Sequence, residues 1–239
     1  MRASRIAIYC CLLLAMAGCA RSSNRSPEEL LSLAVSGLSG VDRYAFQGNA
    51  GIGPNSRAAG NPVGFRGTVE NHDQVSMRSI DPNTSATAIH PLELLNEIEA
   101  TAAKTELVPE ESDKQRAVLR ITADPKKAAA VWAERLRSEL AMLEKKVPEG
   151  TVARGKGERA LNAAARSALQ EEWSKELAGS KKQLEVMLST MQVRSVCKLV
   201  IDRKRMLPRS LEQRTDFRYQ AGGENRSENR SMNLSFERS

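Results

Sequence analysis

Few residues of this 239-residue chain combine in a way that could support chemistry. His72 and His90 are its two histidines. No acid or thiol stands beside them at ligand spacing, and two histidines alone make a poor metal site. Ser195 and Lys198 stand three apart in Ser195-Val196-Cys197-Lys198, a spacing at which a lysine can activate a serine hydroxyl. The Ser-Asp-Asn and Lys-Thr-Gly elements that complete such a site are missing, and the string falls in a predicted strand. There is no Gly-x-Ser-x-Gly and no phosphate-binding loop; Gly48, Gly51 and Gly53 have turn spacing only. Adjacent acids such as Glu171-Glu172 lie among basic residues on a predicted helix, the setting of solvated ion pairs. The reading is of a chain with no catalytic residues, no metal site and no cofactor.

The cysteines divide sharply. Four are present: Cys10, Cys11, Cys19 and Cys197. The chain opens Met1-Arg2-Ala3-Ser4-Arg5, a short basic segment, and continues with an uncharged apolar run from Ile6 to Ala17. About twelve residues are too few to cross a bilayer core, which needs about twenty, but they suit the apolar region of an export signal. The run ends in Met16-Ala17-Gly18-Cys19. This resembles the bacterial lipobox, with Met16 where leucine is usual. The resemblance implies cleavage between Gly18 and Cys19 and a diacylglyceryl group on the Cys19 thiol. Two acyl chains hold a protein stably where one does not. The expectation is a lipoprotein with a palmitate-type anchor on the outer face of the bacterial cytoplasmic membrane, in the cell envelope. The competing reading is an ordinary secretory signal followed by a chance cysteine.

Cys197 is then the one cysteine left in the mature chain, so no disulfide framework is expected. Its flanks, Val196 and Lys198-Leu199-Val200-Ile201, are strand-like, and it reads as a buried small hydrophobe. Lys and Arg number 36 against 29 Asp and Glu, and loss of Arg2 and Arg5 with the signal leaves 34 against 29. For an exported chain this mild basic excess points to a membrane or anionic wall polymer rather than nucleic acid. Aromatics are only 4% of residues, so the core must come from Leu, Val, Ile, Ala and Met, which favours an elongated build.

Positions 1–18 read as the signal, 19–25 as lipidated cysteine and polar tether, and 26–239 as a single domain. Ser26-Pro27-Glu28-Glu29 starts a helix running to about Leu38. Tyr44–Gly48 reads as a strand, 51–62 as a Gly/Pro/Asn/Ser loop, and 64–80 as a second, single strand completing a hairpin. Leu92, Leu95 and Ile98 mark a short amphipathic helix, followed by a polar loop through Pro109. Ala117–Thr122 is a strand. Asp124-Pro125 then opens a helix of about twenty residues carrying Ala128, Val131, Trp132, Leu136, Leu140 and Leu143. A second long helix covers about 158–178 and continues to Ser189. Gln192–Arg203 reads as a strand, and Leu211, Gln213, Thr215, Phe217 and Tyr219 alternate with charged residues in the next. Residues 221–230 read as a loop before a last strand with Met232, Leu234 and Phe236.

Several of these pieces resemble a group of Gram-positive exported lipoproteins with the fold of the outer-membrane lipoprotein carrier LolA. They are Pro27-Glu28-Glu29-Leu30-Leu31 leading into Tyr44-Ala45-Phe46-Gln47-Gly48; Phe65-Arg66-Gly67-Thr68-Val69-Glu70; and Leu199-Val200-Ile201-Asp202-Arg203-Lys204-Arg205-Met206-Leu207-Pro208. In the last, a strand ends in Ile-Asp, turns through basic residues and returns after Leu-Pro. The resemblance implies an α+β fold: a curved antiparallel sheet, an unclosed half-barrel, packed on long helices. A helical insertion at about 90–190 departs from the compact carrier. Relatives of this kind hold lipid tails, bind an envelope partner or serve sporulation. The expected function is a non-enzymatic, membrane-anchored protein binding a lipid or apolar ligand on its sheet. The alternative is an envelope interaction or regulatory protein whose cavity is filled.

Overall fold

The computed structural model describes residues 25–54, 62–80, 89–145 and 163–237. Gly18, Cys19 and the rest of the signal and tether up to Asn24 lie outside the described residues, as does the start expected for the second long helix, about 158–162.

The first helix, α1 (Pro27–Ser39), starts where its sequence demands. The Ser26 hydroxyl accepts from the Glu29 backbone N–H and the Glu29 carboxylate accepts from that of Ser26, both at 3.1 Å, a reciprocal cap that satisfies two otherwise orphaned donors. Its buried stripe is Leu30, Leu31, Ala34, Val35 and Leu38. Strands β1 (Tyr44–Pro54), β2 (Val63–Glu70) and β3 (Gln74–Ser79) follow. Then come α2 (Pro91–Thr101), β4 (Ala102–Leu107) and β5 (Arg116–Ala123). Two long helices, α3 (Pro125–Lys145) and α4 (Ala163–Thr190), precede β6 (Gln192–Asp202), β7 (Leu207–Ala221) and β8 (Glu224–Glu237).

All eight strands form one antiparallel sheet in the order β3-β2-β1-β8-β7-β6-β5-β4. From β1 the chain walks outward to the β3 edge. The stretch carrying α2 crosses to the opposite edge, and β4 to β8 walk back until β8 lies against β1. The edges β3 and β4 do not meet, so the sheet is unclosed, and the expected α+β architecture of a curved antiparallel sheet with helices is what the chain forms.

Four differences from the sequence reading have local causes. The long strand expected over 64–80 breaks at Asn71 and His72, whose φ values of 52° and 69° reverse the chain into a β2–β3 hairpin; Asn and His adopt this left-handed region more readily than most residues. The glycines of 51–54 extend β1 rather than a loop, because β8 supplies their partners from Ser231 to Glu228. Residues 224–230, polar enough to read as loop, pair with Thr215 to Ala221 of β7, and only Gly222-Gly223 make the turn. The segment 102–107, expected as loop, is strand β4. The stretch expected as a helical insertion, about 90–190, therefore also contains the β4–β5 hairpin.

One face of the sheet carries the core. Phe46 and Phe65, Ala117, Leu119 and Ile121, Cys197, Leu199 and Ile201, Leu211 and Leu234 point into it, and α1 with Leu94, Leu95 and Ile98 of α2 covers them. Every one of these residues lies between positions 30 and 234. A second cluster, Ala128, Val193 and Phe217 with Trp132 and Tyr219 at its margin, seats the start of α3 on the same face further along β6 and β7. Beyond it the α3 stripe thins: Leu136 and Leu140 are half-buried and Leu143 is exposed. On α3 and α4, Arg137 holds Glu185 through two bonds of 2.9 and 2.8 Å.

Candidate functional site

The residues first considered for chemistry are placed apart. Ser195 points inward, where its hydroxyl is 3.0 Å from that of Thr215 and accepts from the Gln213 amide at 3.2 Å. Lys198, three residues on along the same strand, points to the other face, since alternate residues face opposite sides, and is paired with Glu111. The two cannot act on one substrate. Cys197 is 3% exposed, and burial, with the charge of Glu212, pushes its thiol well above its ordinary pKa, the opposite of a reactive thiolate. His72 Nε2 lies 2.7 Å from the Asp42 carboxylate in the β2–β3 turn. His90 caps α2, its Nδ1 accepting from the Glu93 N–H at 3.5 Å. Among the described residues no cluster of three or more His, Cys, Asp or Glu could hold a metal, and no helix is long and apolar enough to cross a membrane.

Two spaces against the sheet bear on ligand binding. Inside, between α2, α3 and β6, a space of about 10 Å³ is bounded by Thr101, Trp132, Ser195, Cys197 and Gln213. That is about the volume one water needs. Around it, α1 and α2 pack their apolar residues onto this face of the sheet.

The larger space, about 330 Å³, is a groove where the end of α1 meets the turn from β6 to β7 and the end of β8. It is at the lower end of the size range of small-ligand sites. Leu38 and Val41 form one wall; Leu207, Pro208 and Phe236 form another. Arg43, Arg205 and Arg209 stand around it with Asp202 and Glu237. Tyr44 forms part of the lining. Its ring is 6.2 Å from that of Phe236. The Tyr44 hydroxyl is buried with no hydrogen-bond partner among the described residues, and burial pushes its pKa up to about 12.

Asp202 organises this end of the sheet. Its carboxylate accepts from the backbone N–H of Lys204 and Arg205 at 3.0 and 3.1 Å and from Arg209 Nη2 at 2.7 Å. The Arg209 guanidinium, then those backbone donors, hold its pKa below the usual carboxylate range. The Ile-Asp … Leu-Pro string singled out in the sequence is therefore a turn-building device whose far side lines the groove. What the sequence did not reveal was the partner: Leu38, Val41, Tyr44 and Phe236 come from both ends of the chain, and no local pattern signals that they converge.

The fold and groove define an α+β protein built on one unclosed antiparallel sheet with a helix-filled face. No family model matches the chain, and no curated protein matches it. Among solved structures, the chain aligns with an acyl-CoA thioesterase II, TesB2, from Mycobacterium marinum at 9% identity, over 88% of this chain and 90% of that one, with a TM-score of 0.12.

Proposed function

We propose that this chain is a membrane-anchored extracytoplasmic lipoprotein, held through a diacylglyceryl group on Cys19, that is non-enzymatic and binds a lipid or other apolar ligand. Its binding surface is the groove beside α1 rather than the covered face of the sheet. The observation that supports this reading is the groove itself: about 330 Å³ with apolar walls, cations at the rim and one buried hydroxyl left unpaired. A buried polar group without a partner is uncommon and is disfavoured by about 1–3 kcal/mol, so a ligand that accepts its hydrogen bond would gain from it. The volume suits one chain or one ring system and is too small for a whole diacyl lipid.

The test is mass spectrometry of organic extracts from residues 20–239, which keep the entire core, purified from a host with a bacterial envelope. An amphiphile present in the parent protein and absent from Val41→Trp, which fills the groove, is the expected result. Extracts free of any amphiphile overturn the ligand reading.

A second reading has its own support. Because α1 and α2 fill the sheet's face, the chain also suits an envelope interaction or regulatory protein. That reading expects a discrete crosslinked protein partner and no extracted amphiphile.

A further inference from the structure

We propose that the pole formed by the β6–β7 turn is a docking surface for an anionic bilayer, so that the molecule stands on its membrane with this pole down. The proposal rests on the anchor reading for its geometry and on the charge arrangement for its chemistry.

The geometry begins at Arg25, the first described residue. Its Nη1 donates to Met206 Sδ at 3.4 Å, at the end of the β6–β7 turn where β7 begins. The chain therefore enters the fold within an arginine side chain's reach of that turn. Cys19 is six residues earlier, and six residues span at most about 20 Å even when fully extended. A lipid on Cys19 thus keeps this pole, and no other, close to the headgroups.

The charge then suits that place. The turn itself is Arg203-Lys204-Arg205. The Arg203 N–H donates to the Gln115 carbonyl at 2.9 Å and its Nε to that of Arg116 at 3.2 Å. These bonds bring the loop carrying Lys114 alongside. Arg25, Lys114, Lys204 and Arg205 are exposed, and among the described residues none of them forms an ion pair. The neighbouring acids are mostly engaged. Asp113 is 3.3 Å from Arg116, Asp202 is held by Arg209, and Glu29 closes the cap on Ser26. Among the described residues of these segments, Glu28, Glu110 and Glu237 are the acids left against Arg25, Lys114, Arg203, Lys204 and Arg205. Basic residues within a Debye length of an anionic surface, about 8–10 Å, each add to binding, and their effects accumulate. The groove opens on the same pole, with Arg205 and Arg209 on its rim, so a ligand leaving the bilayer would meet it first.

The experiment uses residues 20–239, without signal or lipid, so that its failure and that of the anchor are separable. Cosedimentation is compared on vesicles of pure phosphatidylcholine and vesicles containing phosphatidylglycerol. The expected result is binding to the anionic vesicles only, weakened about tenfold or more by Lys204→Glu with Arg205→Glu. Lys175→Glu with Lys182→Glu, the same charge change on the exposed face of α4, leaves it nearly unchanged. No binding to anionic vesicles, or equal loss in both double variants, overturns the proposal. Equal binding to both vesicle types also overturns it. Binding to an anionic wall polymer but not to vesicles overturns it in favour of a wall-facing pole.

Discussion

Gly37 of α1 lies so close to Met206 that a β-carbon placed on it would stand 2.4 Å from the Met206 carbonyl oxygen. Met206 reaches that position with a φ of 54°, a left-handed conformation uncommon outside glycine. The helix and the turn are thus in backbone contact, and the groove is what remains open beside that contact. Gly37→Ala must push α1 away from the turn. The expected loss is about 1–3 kcal/mol, as for other overpacked sites, or roughly 2–10 °C in Tm for a chain of this size. Thermal unfolding by circular dichroism measures it. An unchanged Tm would show that the contact is slack.

Tyr44 gives a prediction with a pH sign. Its ordinary pKa of 10.0 is pushed up to about 12 by burial. Tyr219 is likewise raised to about 12, by burial and by its hydrogen bond to Glu228. A hydroxyl whose folded pKa is raised stays protonated in the fold while the unfolded chain already ionises. Its contribution is complete below pH 10 and drains away as pH rises to about 12. The Cys197 thiol, raised by burial from an ordinary 9.0, starts the same loss earlier. Urea midpoints should therefore fall from about pH 9 upward. Tyr44→Phe should show a shallower fall, and near pH 7 it should be no less stable than the parent, because it removes a buried hydroxyl that has no partner. A Tyr44→Phe protein destabilised at neutral pH would mean that the hydroxyl is satisfied.

The alternation from Leu211 to Tyr219 was legible because one face of β7 is buried and the other is solvated, so the side-chain period is written in the sequence. The α1 cap was legible because Ser26 and Glu29 act within four residues. What escaped reading were strands whose own residues carry no strand pattern. Residues 224–230 are Glu, Asn, Arg and Ser, and nothing in them favours strand until β7 lines up beside them. Strand β4 is a continuation of α2 with no punctuating glycine or proline, and its pairing with β5 sets it. Propensity in strands follows packing context, which is why the helices were placed more accurately than these two strands. The groove was illegible for a different reason: its walls are distant in sequence and meet only after β8 closes onto β1.

Trp132 sits where α3 leaves the sheet. Its ring meets that of Phe217 edge-on at 4.9 Å, with the Arg135 and Arg230 guanidinium carbons 4.6 and 4.8 Å from its centroid. Arg135 in turn pairs with Glu97 of α2. One side chain thus links two helices to two strands. Trp132→Ala should lose about 2–3 kcal/mol, less than a fully buried tryptophan because the ring is half-exposed. Trp132→Phe should recover at least half of that. Hydrogen exchange should show the loss as faster opening of α3, with the β6–β7 ladder near Leu199 and Leu211 unchanged. Uniform acceleration across both would mean that α3 is part of the same cooperative unit as the core.

The anchor remains the most direct prediction. If Cys19 carries two acyl chains, firm membrane attachment depends on its sulfur, since two chains hold a protein stably where one gives only marginal binding. Cys19→Ala made in a bacterial host should leave the signal uncleaved or cleaved elsewhere, and the processed chain should move to the soluble extracytoplasmic fraction. The basic pole alone should then hold it only weakly, so that added salt, which shortens the Debye length to about 3 Å at 1 M, releases what remains. Parent protein should resist the same salt wash and yield to detergent. A Cys19→Ala protein cleaved of its signal that still resists salt as the parent does would show that something other than the thioether holds the molecule down, and the reading of residues 16–19 would fall with it.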